Sequence, residues 1–376
     1  MGKLFIFAAG LGAVLACSSG ENRTGATPAE SSGDSPAGDS PAASSPAGSS
    51  PAAAGSPGGA AAPPGTPEQT IAPVLPASGG ASGMAPAPAD GGLQPALPVV
   101  ENPDHEQLLA STVPELASNK RRVYDMWRTL IEARDTQAAQ PFFAESYIQH
   151  NPNADTGRAG VLAYFSSLGA PLPVQDRVQA KLVAIVAEGD FVAVARVDER
   201  DQPRSYTTTW FDLFRFEGGL IAEHWDPAVL PAGGSPRDYV PPAQNPDQEA
   251  SLASGDAQLA GNKRLVYDMW RTLLDAQQVE QAPQFLAQGY IQHNPQANTG
   301  LQGFLQFFRT FAQPKAVQPT VANFIQMIAE GDLVVLATVR SYSNAAAPYS
   351  STWFDMFRVS EQKLVEHWDT GTLPVP

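Results

Sequence analysis

The chain reads as an α+β protein in which one domain occurs twice, and three observations predict it. First, NKRRVYDMWRTL from Asn119 returns as NKRLVYDMWRTL from Asn262, and YIQHNP from Tyr147 returns letter for letter from Tyr290. Second, TWFDLFR from Thr209 and EHWD from Glu223 return as TWFDMFR from Thr352 and EHWD from Glu366. The spacing between copies holds from end to end, with one slip at AEGD (Ala187, Ala329), so a whole domain was duplicated rather than a short solenoid unit. Third, each copy opens with a helix-period apolar pattern and closes with β-rich runs joined by glycine turns, the order of a curved antiparallel sheet wrapped around helices.

The N-terminus is of another kind. MGKLFIFAAGLGAVLAC carries one early charge, Lys3, then an apolar run that reads as an export signal and is too short to span a bilayer. Its end, Val14-Leu15-Ala16-Cys17, resembles a bacterial lipobox, and Cys17 is the single cysteine, with no partner for an internal disulfide. Residues 1–17 are therefore expected to be a signal, with membrane attachment through lipidated Cys17. Ser18, in place of aspartate, points to the outer membrane of the cell envelope. An ordinary cleaved signal with an incidental cysteine is the alternative.

From residue 18 to about residue 103 the chain is Ser, Pro, Ala and Gly with few large apolar side chains, as in SPAGDSPAASSPAGSSPAAAG. Such a segment cannot bury enough surface to offset its ordering entropy, so a disordered tether is expected, taken here to residue 113. The formal net charge is −15 and the repeats share it, which excludes nucleic acid as a partner, since phosphate requires a basic surface. Residues 114–232 are the first domain, 233–256 a Pro/Ala/Ser-rich linker, and 257–376 the second domain.

In the first domain Val123, Met126, Trp127, Leu130 and Ile131 make an apolar stripe at three- and four-residue steps, predicting a helix over residues 114–134. A second short helix is expected over 138–144. The Asn-Pro that closes YIQHNP favours an extended or turning chain, and another helix covers 161–168. LVAIVAEGDFVAVARV from Leu182 and SYTTTWFDLFRFEGGLIAEHWD from Ser205 each read as two strands about a Gly turn.

YIQHNP, AEGD, WFD(L/M)FR and EHWD together resemble the SnoaL-like polyketide cyclase group of the NTF2-like superfamily, over nearly the whole of each repeat. The resemblance implies two tandem cones, each a bent sheet around a pocket closed by helices. It covers cyclases, isomerases, dehydratases and non-enzymatic binding domains, so function has to come from the residues facing the pocket.

Strand side chains alternate, so His224 and Asp226 share a face, as do His367 and Asp369, roughly 6.5 to 7 Å apart along the strand. In TTWFDLF, Trp210, Asp212 and Phe214 share one face. If the resemblance holds, His150 and His293 enter from the neighbouring segment, giving two candidate constellations: His150, His224 and Asp226, then His293, His367 and Asp369. Tyr147 and Tyr290, with Trp210 and Trp353, are candidate ligand contacts.

Three readings stay open. A carboxylate in an apolar pocket beside a histidine can shuttle protons, and the resemblance assigns Asp226 and Asp369 to acid–base closure of a carbonyl compound, with Tyr147 or Tyr290 donating to an enolate oxygen. Two histidines and a carboxylate can also make a facial triad for a metal, although the resemblance implies neither a metal nor a cofactor. Or the polar groups satisfy one another in a core whose pocket binds a small apolar or carbonyl-containing molecule, or serves as an interaction module. An exported protein is removed from cytoplasmic polyketide synthesis, which favours binding. Pairing of the two copies through their sheet faces, as an internal pseudo-dimer in a monomeric chain, is expected from the long linker. VARVDERDQPRSYTT becomes LATVRSYSNAAAPYSS in the second copy, which loses charge near the expected pocket rim.

Overall fold

The computed structural model describes residues 93–343 and 345–374; the signal, Cys17 and the tether as far as residue 92 lie outside the described residues. Both repeats fall within one compact unit. The first repeat runs α1 (His105–Leu109), α2 (Pro114–Met126), a widened turn over Trp127–Glu132, α3 (Thr136–Ala139), β1 (Phe143–Gln149), α4 (Arg158–Ser167), β2 (Leu182–Glu188), β3 (Phe191–Arg200), β4 (Tyr206–Glu217) and β5 (Leu220–Trp225). The second runs α5 (Gln248–Leu252), α6 (Ala257–Met269), a widened turn over Trp270–Asp275, a 3-10 turn over Val279–Gln284, β6 (Leu286–Gln292), α7 (Leu301–Arg309), β7 (Phe324–Glu330), β8 (Leu333–Tyr342), β9 (Tyr349–Ser360) and β10 (Lys363–Asp369).

Each repeat forms a five-stranded sheet, ordered β1-β5-β4-β3-β2 and β6-β10-β9-β8-β7. The architecture is the expected α+β cone, with one difference. The sheet is mixed, because β1 lies parallel to β5 and β6 parallel to β10. The backbone of YIQ, extended before Asn-Pro, adds to the sheet edge instead of turning beside it. Register breaks in β1–β5 and β4–β5 mark bulges that bend the sheet around its helices.

Helix α2 presents Val123, Met126 and, one turn on, Leu130 to the inner face of its sheet, where Ile185, Val194 and Phe214 complete the core. The hollow left between α2 and β2 is only about 10 Å³, so that part of the cone is filled by side chains. The outer faces of the two sheets meet each other. Phe211 and Phe354 stack there with centroids 5.6 Å apart, amid Leu213, Trp225, Met356 and Trp368.

Residues 93–113, placed by composition in the tether, are ordered. Asp104 caps α1 and Pro114 occupies the first turn of α2. The arm before α1 lies against the second repeat, with the Leu97 N–H donating to the Gln292 carbonyl at 2.8 Å. The linker before α5 does the same to the first repeat, the Val240 N–H donating to Gln149 at 2.9 Å. Backbone hydrogen bonds made at a distance, invisible to composition, order both segments. Among the described residues no helix is long and apolar enough to cross a membrane.

Candidate functional site

Register assembles the site. Gln149 of β1 aligns with His224 of β5, and Phe214 of β4 aligns with His224 on its other side, so Gln149, His224, Phe214 and Asp212 converge on the inner face. Asp226 follows β5 at the same face. His224 Nε2 lies 3.0 Å from Asp212 Oδ1 and Nδ1 lies 3.0 Å from Gln149 Oε1. That same Gln149 oxygen accepts from the Asn151 N–H, which fixes the amide's orientation and requires His224 to carry a proton on Nδ1. Asp226 accepts from Asn151 Nδ2 at 2.7 Å and from the Ala228 N–H at 3.1 Å.

The second repeat builds the same group. His367 Nε2 lies 2.9 Å from Asp355 Oδ1 and 3.9 Å from Asp369 Oδ2, and Nδ1 lies 2.9 Å from Gln292 Oε1. Asp369 accepts from Asn294 Nδ2 and the Gly371 N–H. All six titratable groups of the two clusters are buried, and one oxygen each of Asp212 and Asp355 has no hydrogen-bond partner.

Electrostatics follow from two carboxylates flanking one imidazole. Burial pulls His224 down, but the bond to Asp212 and the charges of Asp226 and Asp212 outweigh it, and its proton affinity is raised. His367 is raised in the same way by Asp355 and Asp369. Burial raises Asp226 against the opposing charge of His224, with Asp212 adding to the rise. In the second copy burial pushes Asp355 up to about 6 against its bond to His367. The arrangement therefore raises the proton affinity of one imidazole and one carboxyl in each cluster, which suits acid–base work.

Tyr147 and Tyr290 border these clusters. Burial first, then the nearby carboxylates, lift both phenols well above their ordinary range. Tyr147 OH accepts from Gln149 Nε2 at 3.2 Å, while Tyr290 lies over His367. Trp210 and Trp353, two residues before Asp212 and Asp355, are half-buried beneath the guanidiniums of Arg196 and Arg340.

His150 and His293 do not join the clusters. Alternation is the reason: Gln149 occupies the inner position beside His224, so His150, one residue on, turns to the opposite face. There it stacks on Trp225 at 4.8 Å and reaches Glu223 Oε1 at 2.8 Å and the Val240 carbonyl at 2.6 Å. Arg215 holds the other oxygen of Glu223 at 2.7 Å. His293, Glu366, Arg358 and the Leu97 carbonyl repeat the set. Burial favours neutral glutamates, but the histidine and arginine bonds prevail and both carboxyls stay below their usual value.

The facial triad His150, His224 and Asp226 consequently cannot close around a metal. Asp212, His224 and Asp226 can each offer a ligand atom, all within 4.8 Å of one another, as can Asp355, His367 and Asp369. Asp212 and Gln149 are the residues that motif reading passed over. Both stand inside WFD and YIQHNP, and the pairing of Phe214 with His224 is what sets Asp212 opposite Asp226.

A family model described as SnoaL-like domain matches the chain twice, at residues 121–224 and 267–367. No curated protein matches its sequence. Among solved structures, the chain is similar to a protein provisionally assigned as a polyketide cyclase from Acidithiobacillus ferrooxidans, with 15% identity over 31% of this chain and 89% of that one, at TM-score 0.24. An LEH-like epoxide hydrolase from M. tuberculosis is 18% identical over 29% of this chain and 80% of that one, at TM-score 0.22. A second protein provisionally assigned as a polyketide cyclase, from Xanthomonas campestris, is 18% identical over 29% and 88%, at TM-score 0.21.

Proposed function

Because the chain belongs to the SnoaL-like domain family in both repeats, we propose that it is a small-molecule-binding protein with two sites, each at an Asp–His–Asp cluster. The observation that carries the reading is the unpartnered, buried oxygen of Asp212 and of Asp355. A buried acceptor left without a donor is costly, and a ligand hydroxyl, or the enol form of a carbonyl compound, supplies the missing donor. The aromatic and aliphatic surroundings suit an apolar ligand with one such polar group.

A second reading is favoured by the raised proton affinities of Asp226 and Asp355. One carboxylate of each cluster, Asp226 at the end of β5 in the first repeat and Asp355 of β9 in the second, can take the proton beside a ligand carbonyl, while the imidazolium stabilises the resulting enolate, as in an aldol cyclisation, isomerisation or dehydration. The non-catalytic interaction module is the remaining alternative.

The further parts of the proposal rest on sequence and packing. Lipidated Cys17 would anchor the protein to the cell envelope, at the outer membrane. The two repeats, joined through their outer sheet faces, act as an internal pseudo-dimer in a monomeric chain. A thermal-shift screen of aromatic ketones, steroids and other small carbonyl compounds tests the function, with Asp226→Asn/Asp369→Asn alongside. A stabilising compound whose turnover vanishes in the double variant identifies the enzyme; one bound but not converted identifies the carrier. If no compound raises the melting temperature, the binding reading falls.

A further inference from the structure

The turn that carries each working carboxylate is fastened by the other repeat. At the end of β10, the Asp369 carboxylate accepts from the Gly371 N–H at 2.8 Å, folding residues 369–371 into a tight loop. The outward carbonyl of that loop, on Gly371, receives the hydroxyl of Thr208 at 2.6 Å, and the Asp369 carbonyl lies 3.3 Å from the same oxygen. Thr208 belongs to β4, in the first repeat. In the mirror arrangement the Asp226 carboxylate accepts from the Ala228 N–H, and Ser351 of β9 donates to the Ala228 carbonyl at 2.6 Å, with the Asp226 carbonyl at 3.2 Å. Thr208 and Ser351 are buried.

A second hydroxyl backs each clamp. Tyr206 OH accepts from the Leu373 N–H at 3.0 Å and Tyr349 OH from the Leu230 N–H at 2.9 Å, again across the repeats. Thr208 and Ser351 occupy equivalent places in YTTT and YSST, as do the two tyrosines, so four hydroxyls form two reciprocal clamps. A buried hydroxyl bond to a turn carbonyl fixes the direction of the carboxylate that caps that turn.

We propose that Ser351 is a positioning residue for the Asp212–His224–Asp226 site and Thr208 for the Asp355–His367–Asp369 site, so that neither site is complete without the opposite repeat. The proposal rests on the reading of Asp226 and Asp369 as working groups, but its test does not require a ligand. In the full chain carrying 13C-labelled aspartate and 15N-labelled histidine, the carboxyl and ring signals of all four residues are compared between wild type and variants. Thr208→Val is expected to move the signals of Asp369 and His367 and to leave those of Asp226 and His224 in place. Ser351→Ala is expected to do the reverse. Thr208→Ser and Ser351→Thr, each importing the other copy's hydroxyl, are expected to be silent. Should Thr208→Val not fold, Tyr206→Phe loosens the same turn from its rim and is expected to move Asp369 alone. Signals that move within the substituted repeat, in both repeats alike, or in neither, overturn the proposal. A crossed pattern without any ligand being found would leave the clamps standing and the binding reading fallen.

Discussion

Lys263 Nζ lies 2.7 Å from Glu188 Oε1, and this ion pair joins the second repeat to the first. Lys120 and Glu330 form its counterpart at 2.6 Å in the opposite direction. Both lysines are buried and also donate to the carbonyls that end the short helices, Lys263 to Ser251 and Ala253 at the end of α5, Lys120 to Leu108 and Ala110 at the end of α1. Each glutamate accepts a backbone N–H from the other repeat as well, Glu188 from Ala329 and Glu330 from Ala187. The lysine of NKR and the glutamate of AEGD are thus repeated because each copy supplies what the other requires.

Removing one member leaves a desolvated charge unpaired. Lys263→Met is expected to cost about 3 kcal/mol or more, and Lys263→Met/Glu188→Gln to recover part of that loss. Denaturant midpoints of the wild type, Lys263→Met, Glu188→Gln and the double variant measure it; strict additivity of the two substitutions would show that the pair does not couple the repeats.

Phe211 and Phe354 carry the apolar part of the same junction, both fully buried. Phe354→Ala is expected to destabilise the protein by roughly 3–5 kcal/mol. Light scattering on the wild-type chain is expected to give a monomer, because this face is already covered within one chain. An obligate dimer of chains would count against the internal pairing.

Stability should fall as pH rises towards about 6 through Asp355, and again as it rises above 6.5 through His224 and His367. His224 and His367 have raised folded-state affinities, so their contribution is complete below the ordinary value of 6.5 and is lost as pH climbs through the raised one. Asp355, raised from 3.8 to about 6, adds a penalty that is absent below 3.8 and complete above about 6. Glu223 and Glu366, held low, stabilise above 4.5 and lose that contribution only as pH falls through their lowered values. Asp355→Asn is expected to flatten the slope between pH 4 and 6 in a denaturant-midpoint series, and an unchanged slope would refute this assignment.

His293 holds the arm rather than the site. His293→Phe preserves the stacking surface on Trp368 but removes the bond to the Leu97 carbonyl. Amides of residues 94–101 are then expected to exchange up to about tenfold faster, the scale of losing one buried hydrogen bond. Amides near Val240, held by His150, should be unaffected. Loss of ligand binding without faster arm exchange would return His293 to the site.

The sequence by itself determined the duplication, the apolar face of α2, the hairpins about AEGD and EGG, and the shared face of His224 and Asp226. Each is local: periodicity, turn chemistry and alternation act over a few residues and need no knowledge of neighbours. Only the tertiary structure decided that His150 leaves the cluster and Asp212 enters it, since that depends on Gln149 standing in register with His224 and Phe214 pairing with it. It also decided that residues 93–113 are ordered, that Lys263 finds Glu188, and that Thr208 fastens the turn of Asp369. Those partners lie from 75 to more than 160 residues apart, and a chain reveals such pairs only once its two sheets have closed face to face.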